Sequence, residues 1–110
     1  LHESYQTGAL TEITFYILLS TFQPNHGYGI MQTIETETQG RLVPGAGTLY
    51  GALRVLIKKG WISPCGKTEN GRGQLYLITE QGKQAVAKET SRINRLLQTA
   101  KKLTAGRNLH

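Results

Sequence analysis

A mostly α-helical chain carrying one small β-hairpin, an α+β fold, is what this sequence predicts. Three observations lead there. Apolar residues recur at helical spacing in four separate segments. Between the third and the fourth, two short runs rich in apolar and β-favouring residues flank a polar loop with three glycines. Breakers fall between the segments: Pro24-Asn25, Gly40 and Gly60.

Residues 1 to 8 are polar and irregular and read as a loose arm. From Ala9 to Phe22 the first helix is apolar on most sides, through Leu10, Ile13, Phe15, Tyr16, Ile17, Leu18, Leu19 and Phe22. Such a helix needs cover on more than one side, so a second subunit is expected to help. Pro24-Asn25 ends it. The second helix is predicted from His26 to Thr38, with Tyr28, Met31, Ile34 and Thr38 as its stripe and Gly40 as its stop. The third runs from Ala46 to Lys59. Its inner face is Leu49, Ala52, Leu53, Leu56 and Ile57, which leaves Thr48, Gly51, Arg54, Val55 and Lys58 outside.

Trp61-Ile62-Ser63 reads as a short strand cut by Pro64, with Trp61 in the core, and Leu75 to Ile78 as its partner. Gly66, Lys67, Asn70, Gly71, Arg72 and Gly73 form the exposed loop between them. Thr79 is a good N-cap for a last helix of about 25 residues, ending near Ala105-Gly106. Val86, Ile93 and Ala100 recur at heptad spacing, and Leu96 and Leu103 fill half-heptad positions, where Glu89 interrupts the series. Three helices, a hairpin and a long helix, in that order, describe a winged helix-turn-helix. Its third helix is the one expected to enter a DNA major groove. Residues 1–78 form the winged region with its N-terminal helix and 79–110 a dimerisation helix, together one compact domain.

Charge supports a polyanionic partner. The 110 residues carry a net charge of +6. No acid lies between Glu37 and Glu69, while Arg41, Arg54, Lys58, Lys59 and Lys67 fall in that interval. There is no Asp, and Cys65 is the only cysteine. A lone cysteine excludes an internal disulfide and fits a reducing interior, so a cytoplasmic location is expected. The longest apolar run, Ile13 to Phe22, is about half the length of a membrane span. His2, His26 and His110 lie far apart in the sequence and do not make a metal site. His26 is read as a packed residue at a helix start. Cys65 follows Pro64 in a turn with no His near it in sequence, so no catalytic nucleophile is expected. The expectation is a protein without cofactor or metal that is not an enzyme.

The candidate DNA-binding residues follow from this arrangement. Gly45 and Gly47 open the third helix with no side-chain bulk, which suits close approach to phosphate. Thr48 and Tyr50 offer hydroxyls in its first turns. The alternatives are a local backbone bond for Thr48 and packing between helices for Tyr50. Arg54 lies one turn further on. Lys58, like Lys59, sits in the last turn, where a cation also complements the helix dipole. Arg41 precedes the third helix, and Lys67 and Arg72 flank the tip of the wing. For the dimer seam the candidates are Leu10, Ile17, Val86, Ile93, Leu96, Leu97, Ala100 and Leu103. Phe15 and Tyr16 on the first helix read as core or dimer packing.

With these residues in view, the chain resembles the PadR family of bacterial transcriptional regulators over about residues 9 to 104. The matching pieces are His26-Gly27-Tyr28-Gly29-Ile30, then Gly47-Thr48-Leu49-Tyr50 with Leu53 and Leu56, then Gly60-Trp61-Ile62, and finally Tyr76-Leu77-Ile78-Thr79 with Gly82. The resemblance implies a homodimeric repressor of operator DNA, paired through the last helix with help from the first. It implies contact with double-stranded DNA through the third helix and the wing, and relief by a small aromatic or hydrophobic effector, with Phe15 and Tyr16 as candidates for the effector pocket. Three departures stand out. Gly51 occupies a position where the family often has Pro. Gln74 and Leu75 replace a basic residue and a tyrosine in the wing. No aromatic residue follows Tyr76. The thinner wing leaves an alternative function open, an interaction adaptor that has lost specific DNA binding.

Overall fold

The computed structural model describes residues 9–107. The polar arm expected over residues 1 to 8 lies outside the described residues. Helix α1 spans Glu12–Ser20. Thr11 caps it, its Oγ1 accepting the Thr14 N–H at 3.2 Å. The helix stops two residues before the expected Phe22. There Thr21 turns its buried hydroxyl back onto the carbonyls of Ile17 and Leu18, at 3.1 and 3.0 Å.

A strand that the sequence did not announce follows, β1 over Asn25–His26. Helix α2 spans Gly27–Glu37. Its inner stripe is Gly27, Ile30 and Ile34, whereas Tyr28, expected on the stripe, is 61% exposed. The cause is steric. A Cβ at position 27 would lie 2.2 Å from the Tyr50 hydroxyl, so the glycine must face inward and Tyr28 is rotated out. Gln39 and Gly40 then adopt left-handed backbone, with φ of 53° and 82°, and end the helix where expected.

Helix α3 spans Ala46–Lys59, as the pattern predicts. Leu49, Leu53 and Leu56 are buried, and Gly60 closes the helix with φ 79°. Ile57, expected on the buried face, is exposed, because the core takes only the Leu49–Leu53–Leu56 edge. Strands β2, Ile62–Lys67, and β3, Gln74–Ile78, form the hairpin, and the antiparallel sheet has the order β1-β3-β2. Pro64 does not cut β2. It pairs with Tyr76 on an edge strand, and a bulge between Pro64 and Gly66 absorbs the irregularity.

Helix α4 spans Glu80–Leu103. The Thr79 Oγ1 accepts the Gly82 N–H at 3.1 Å and donates to the Gly60 carbonyl at 2.6 Å, tying the start of α4 to the end of α3. The core gathers Ile17, Leu18, Ile30, Ile34, Leu49, Leu53, Leu56, Ile62, Ile78 and Val86. Each fully enclosed Leu or Ile contributes roughly 1.5–3 kcal/mol. Two dimer-seam candidates therefore need correcting. Ile17 has no exposed surface and Val86 only 8%, because α1 and the inner half of α4 bury them inside their own protomer.

Candidate nucleic-acid interface

The opening of α3 is bare. Gly45 is its N-cap and provides no side-chain oxygen to the first-turn donors. Nothing stands within 4 Å of where a Cβ at Gly45 or Gly47 would be. Thr48 is exposed beside them. Unoccupied N–H donors at the positive end of a helix dipole form a ready anion site.

Along the outer face, Gly51 clears the surface over which Arg54 folds. The Arg54 Nη2 lies 3.8 Å from a Cβ built at Gly51. Lys58 is exposed one turn later. Lys59 instead stacks on Trp61, its Nζ 4.6 Å from the ring centroid. Tyr50 packs between helices against Gly27 and keeps 40% of its surface exposed. It also faces Tyr76 of β3, whose hydroxyl is pushed above its ordinary pKa by burial and, secondarily, by Tyr50.

The wing tip is a well-bonded turn. Thr68 N–H donates to the Gly73 carbonyl at 2.9 Å, and Asn70 Oδ1 accepts from Thr68 Oγ1 at 2.8 Å and from Arg72 N–H at 2.9 Å. Gln74, one of the wing's departures from the family pattern, bridges the hairpin by donating to the carbonyls of Gly66 and Leu75, at 2.6 and 2.9 Å. Lys67 and Arg72 are exposed near the tip, and the exposed Glu69 between them offsets one of their charges. Arg41 is held differently. Its guanidinium bonds both carboxylate oxygens of Glu12, and that bond holds the Glu12 carboxyl below its ordinary range. Its charge is therefore neutralised within the protomer.

The outer half of α4 presents a second exposed surface. Every residue from 93 to 103 is exposed. Ile93, Leu96, Leu97, Ala100 and Leu103 form one apolar stripe there, with exposures of 41, 60, 48 and 67% for Ile93, Leu96, Leu97 and Leu103. Leu10 is half-buried against the core. Its backbone N–H donates, at 3.4 Å, to Glu89, which is 3% exposed and also accepts two bonds from Arg92, at 2.8 and 2.7 Å. Chiefly through Arg92, the Glu89 carboxyl is held below its ordinary range. The residue that interrupts the heptad pattern is thus a joint between α4 and the start of α1.

Phe15 and Tyr16 pack against the core. Neither lines the cleft of about 750 Å³ that lies between the start of α1, the outer face of α3 and the first turns of α4. Trp61 does line it, together with Lys88 and Gln84 of α4. The sequence did not place these three side by side, because one looked like core and two like solvated helix surface. Among the described residues no helix is long and apolar enough to cross a membrane.

Comparison with known proteins agrees with this architecture. The sequence profile of the transcriptional regulator PadR-like family matches residues 16–88. A transcriptional regulator from Clostridium thermocellum is 25% identical with a TM-score of 0.69, over 83% of this chain and 90% of that one. A Streptococcus mutans protein is 27% identical with a TM-score of 0.70, over 89% and 91%. A PadR family transcription regulator from Clostridium difficile shares the fold at 20% identity and a TM-score of 0.69, over 86% and 98%. No curated protein matches the sequence significantly. With two thirds of its length matched by one profile and its helices and wing in the same order, the chain belongs to the PadR-like family of transcriptional regulators.

Proposed function

We propose that the protein is a homodimeric, sequence-specific repressor of operator DNA that acts in the cytoplasm and is released by a small aromatic or hydrophobic effector. The observation that carries this reading is the bare, glycine-led start of α3, followed on the same helix by exposed Thr48, Arg54 and Lys58. Gly45 and Gly47 admit phosphate, Arg54 reaches a base edge or phosphate, and Lys67 and Arg72 of the wing meet the flanking backbone. Tyr50 contributes from the part of its surface left exposed, its hydroxyl being packed against Gly27. Arg41 acts through Glu12 by fixing the turn before α3, and it contacts the duplex only if that pair opens. Ile93, Leu96, Leu97, Ala100 and Leu103 form the seam with the second copy, supported by Leu10. The seam sets the separation of the two α3 helices, which fixes a half-site spacing of about one helical turn.

Four cations per protomer, Arg54, Lys58, Lys67 and Arg72, give a log–log salt slope of about −7 for the dimer. Gel shifts across a salt series, on a duplex obtained by in vitro selection and on a scrambled one, test this. Equal affinity for the two duplexes refutes specific recognition. The adaptor alternative draws on Glu69 at the wing tip. It is favoured if Arg54→Ala and Tyr50→Ala both leave the regulatory effect intact.

A further inference from the structure

One face of α4 changes its cover along its length. Gly82, Val86 and Glu89 are the buried residues of the helix, at spacings of four and three. Carried on at the same spacing, that face becomes Ile93, Leu96, Ala100 and Leu103, all of them exposed. Glu89 is thus the last residue of α4 that its own protomer encloses. An apolar side chain there would complete the heptad series. The carboxylate instead takes directed bonds, two from the half-buried Arg92 at 2.8 and 2.7 Å and one from the Leu10 N–H at 3.4 Å. Leu10 packs on the core and directly precedes Thr11, the N-cap of α1. A buried ionic group adds little stability over an apolar one of similar size, and its best-attested use is to fix register.

We infer that Glu89 is the positioning residue that sets the angle at which α4 leaves the winged region, and through it the separation of the two winged regions in the paired protein. This rests on the reading of the chain as a homodimer that binds operator DNA. From Glu89 to Leu103 the helix extends for about 21 Å, at about 1.5 Å per residue. A tilt of about 10° at the joint displaces the far end by about 4 Å over that length. When the far ends are paired, the displacement appears at the winged regions instead. It is close to one base-pair step of a duplex, about 3.4 Å.

Cys65 is the only cysteine of the chain and is exposed on β2, so a nitroxide attached to it puts one label on each wing. Pulsed dipolar spectroscopy of the labelled full chain measures the separation of the wings with no DNA present. Wild type is expected to give one narrow distance. Glu89→Leu fills the position without directed bonds; it is expected to stay folded and paired while the distance moves or broadens by about 4 Å. Arg92→Ala removes the other end of the joint from a half-buried position and is expected to act in the same way; it carries the test if Glu89→Leu does not fold. Ile34→Val lowers the melting temperature from within the core and is expected to leave the distance unchanged. The inference is overturned if wild type gives no distance between labels, if a folded joint variant keeps the wild-type distance or loses pairing, or if Ile34→Val moves the distance as the joint variants do. In vitro selection with the joint variants is expected to recover half-sites moved by about one base pair. An unchanged spacing overturns the link to the operator. A Glu89-dependent distance in a protein with no operator affinity would sink the DNA-binding reading and leave the joint standing.

Discussion

Gly47 and Gly82 both sit in the first turn of a helix, yet alanine at the two positions should act in opposite directions. A methyl group at Gly47 meets nothing within 4 Å. It gains helix propensity and restricts the unfolded chain, worth about 0.5–1 kcal/mol. For a domain of this size that raises the melting temperature by roughly 3–6 °C. At Gly82 the same methyl group would lie 2.2 Å from the Trp61 carbonyl oxygen and 2.6 Å from Ile78 Cγ1. A main-chain oxygen cannot swing aside as a side chain can, so overpacking costs about 2–3 kcal/mol and outweighs the propensity gain. The net loss of about 1–2 kcal/mol lowers the melting temperature by roughly 6–15 °C. DNA affinity separates the two further. If phosphate approaches the bare start of α3, the new methyl group at position 47 blocks a hydrogen bond to a charged acceptor, about 1.5–3 kcal/mol for each protomer. Gly47→Ala should then be more stable than wild type and, with both protomers affected, bind its operator at least about a hundredfold more weakly. Thermal melts by circular dichroism and fluorescence anisotropy on a labelled operator measure both quantities. A stabilised Gly47→Ala protein with wild-type affinity would remove the start of α3 from the interface.

Other outcomes follow from the same geometry. Arg54→Ala should leave the melt unchanged, weaken operator binding about tenfold and reduce the dimer's salt slope by about 2, read from anisotropy across a salt series. Leu96→Glu places a carboxylate on the exposed stripe of α4; sedimentation equilibrium should show single protomers at concentrations where wild type is paired, with the winged region's helicity retained. Glu89 gives a pH signature. Its folded carboxyl titrates below its ordinary range, so the stability it contributes is present above that range and is lost as pH falls through the folded value. Wild-type melting should fall as pH drops below the ordinary carboxylate range, whereas Glu89→Gln should be less stable by about 1–2 kcal/mol at neutral pH and flatter below it, measured by melts across a pH series.

Much of this fold was legible in the sequence. Helix α3 was bounded correctly because Gly45 and Gly60 bracket a clean amphipathic run, and Thr79 announced α4 by its capping chemistry. Strand β1 was invisible because two residues, Asn25 and His26, carry no periodicity. Pro64 misled because an edge position and a bulge are properties of the sheet, not of the local sequence. The seam was only partly legible. Periodicity marks Ile17 and Val86 as apolar, but it does not say whether their cover comes from the same chain. Glu89 looked like a flaw in the heptads and is a joint, since its partners, Arg92 and the Leu10 backbone, are one turn away and at the other end of the chain. The cleft could not be read at all, because Gln81, Gln84 and Lys88 look like any solvated helix face until α3 is laid beside them.

The sheet is fastened at both of its margins. Ile78 N–H donates to the Thr21 carbonyl at 2.8 Å, Thr79 N–H to the Trp61 carbonyl at 2.9 Å, and β1 joins the α1–α2 corner to β3. On the function proposed above, the wing would meet a duplex from this fastened sheet, with little freedom to adjust to the wrong curvature. The adjustment falls to the nucleic acid, and a rigid reader discriminates by how readily base steps bend between the points it grips. Sequence preference at positions no side chain reaches is the trace such a frame leaves.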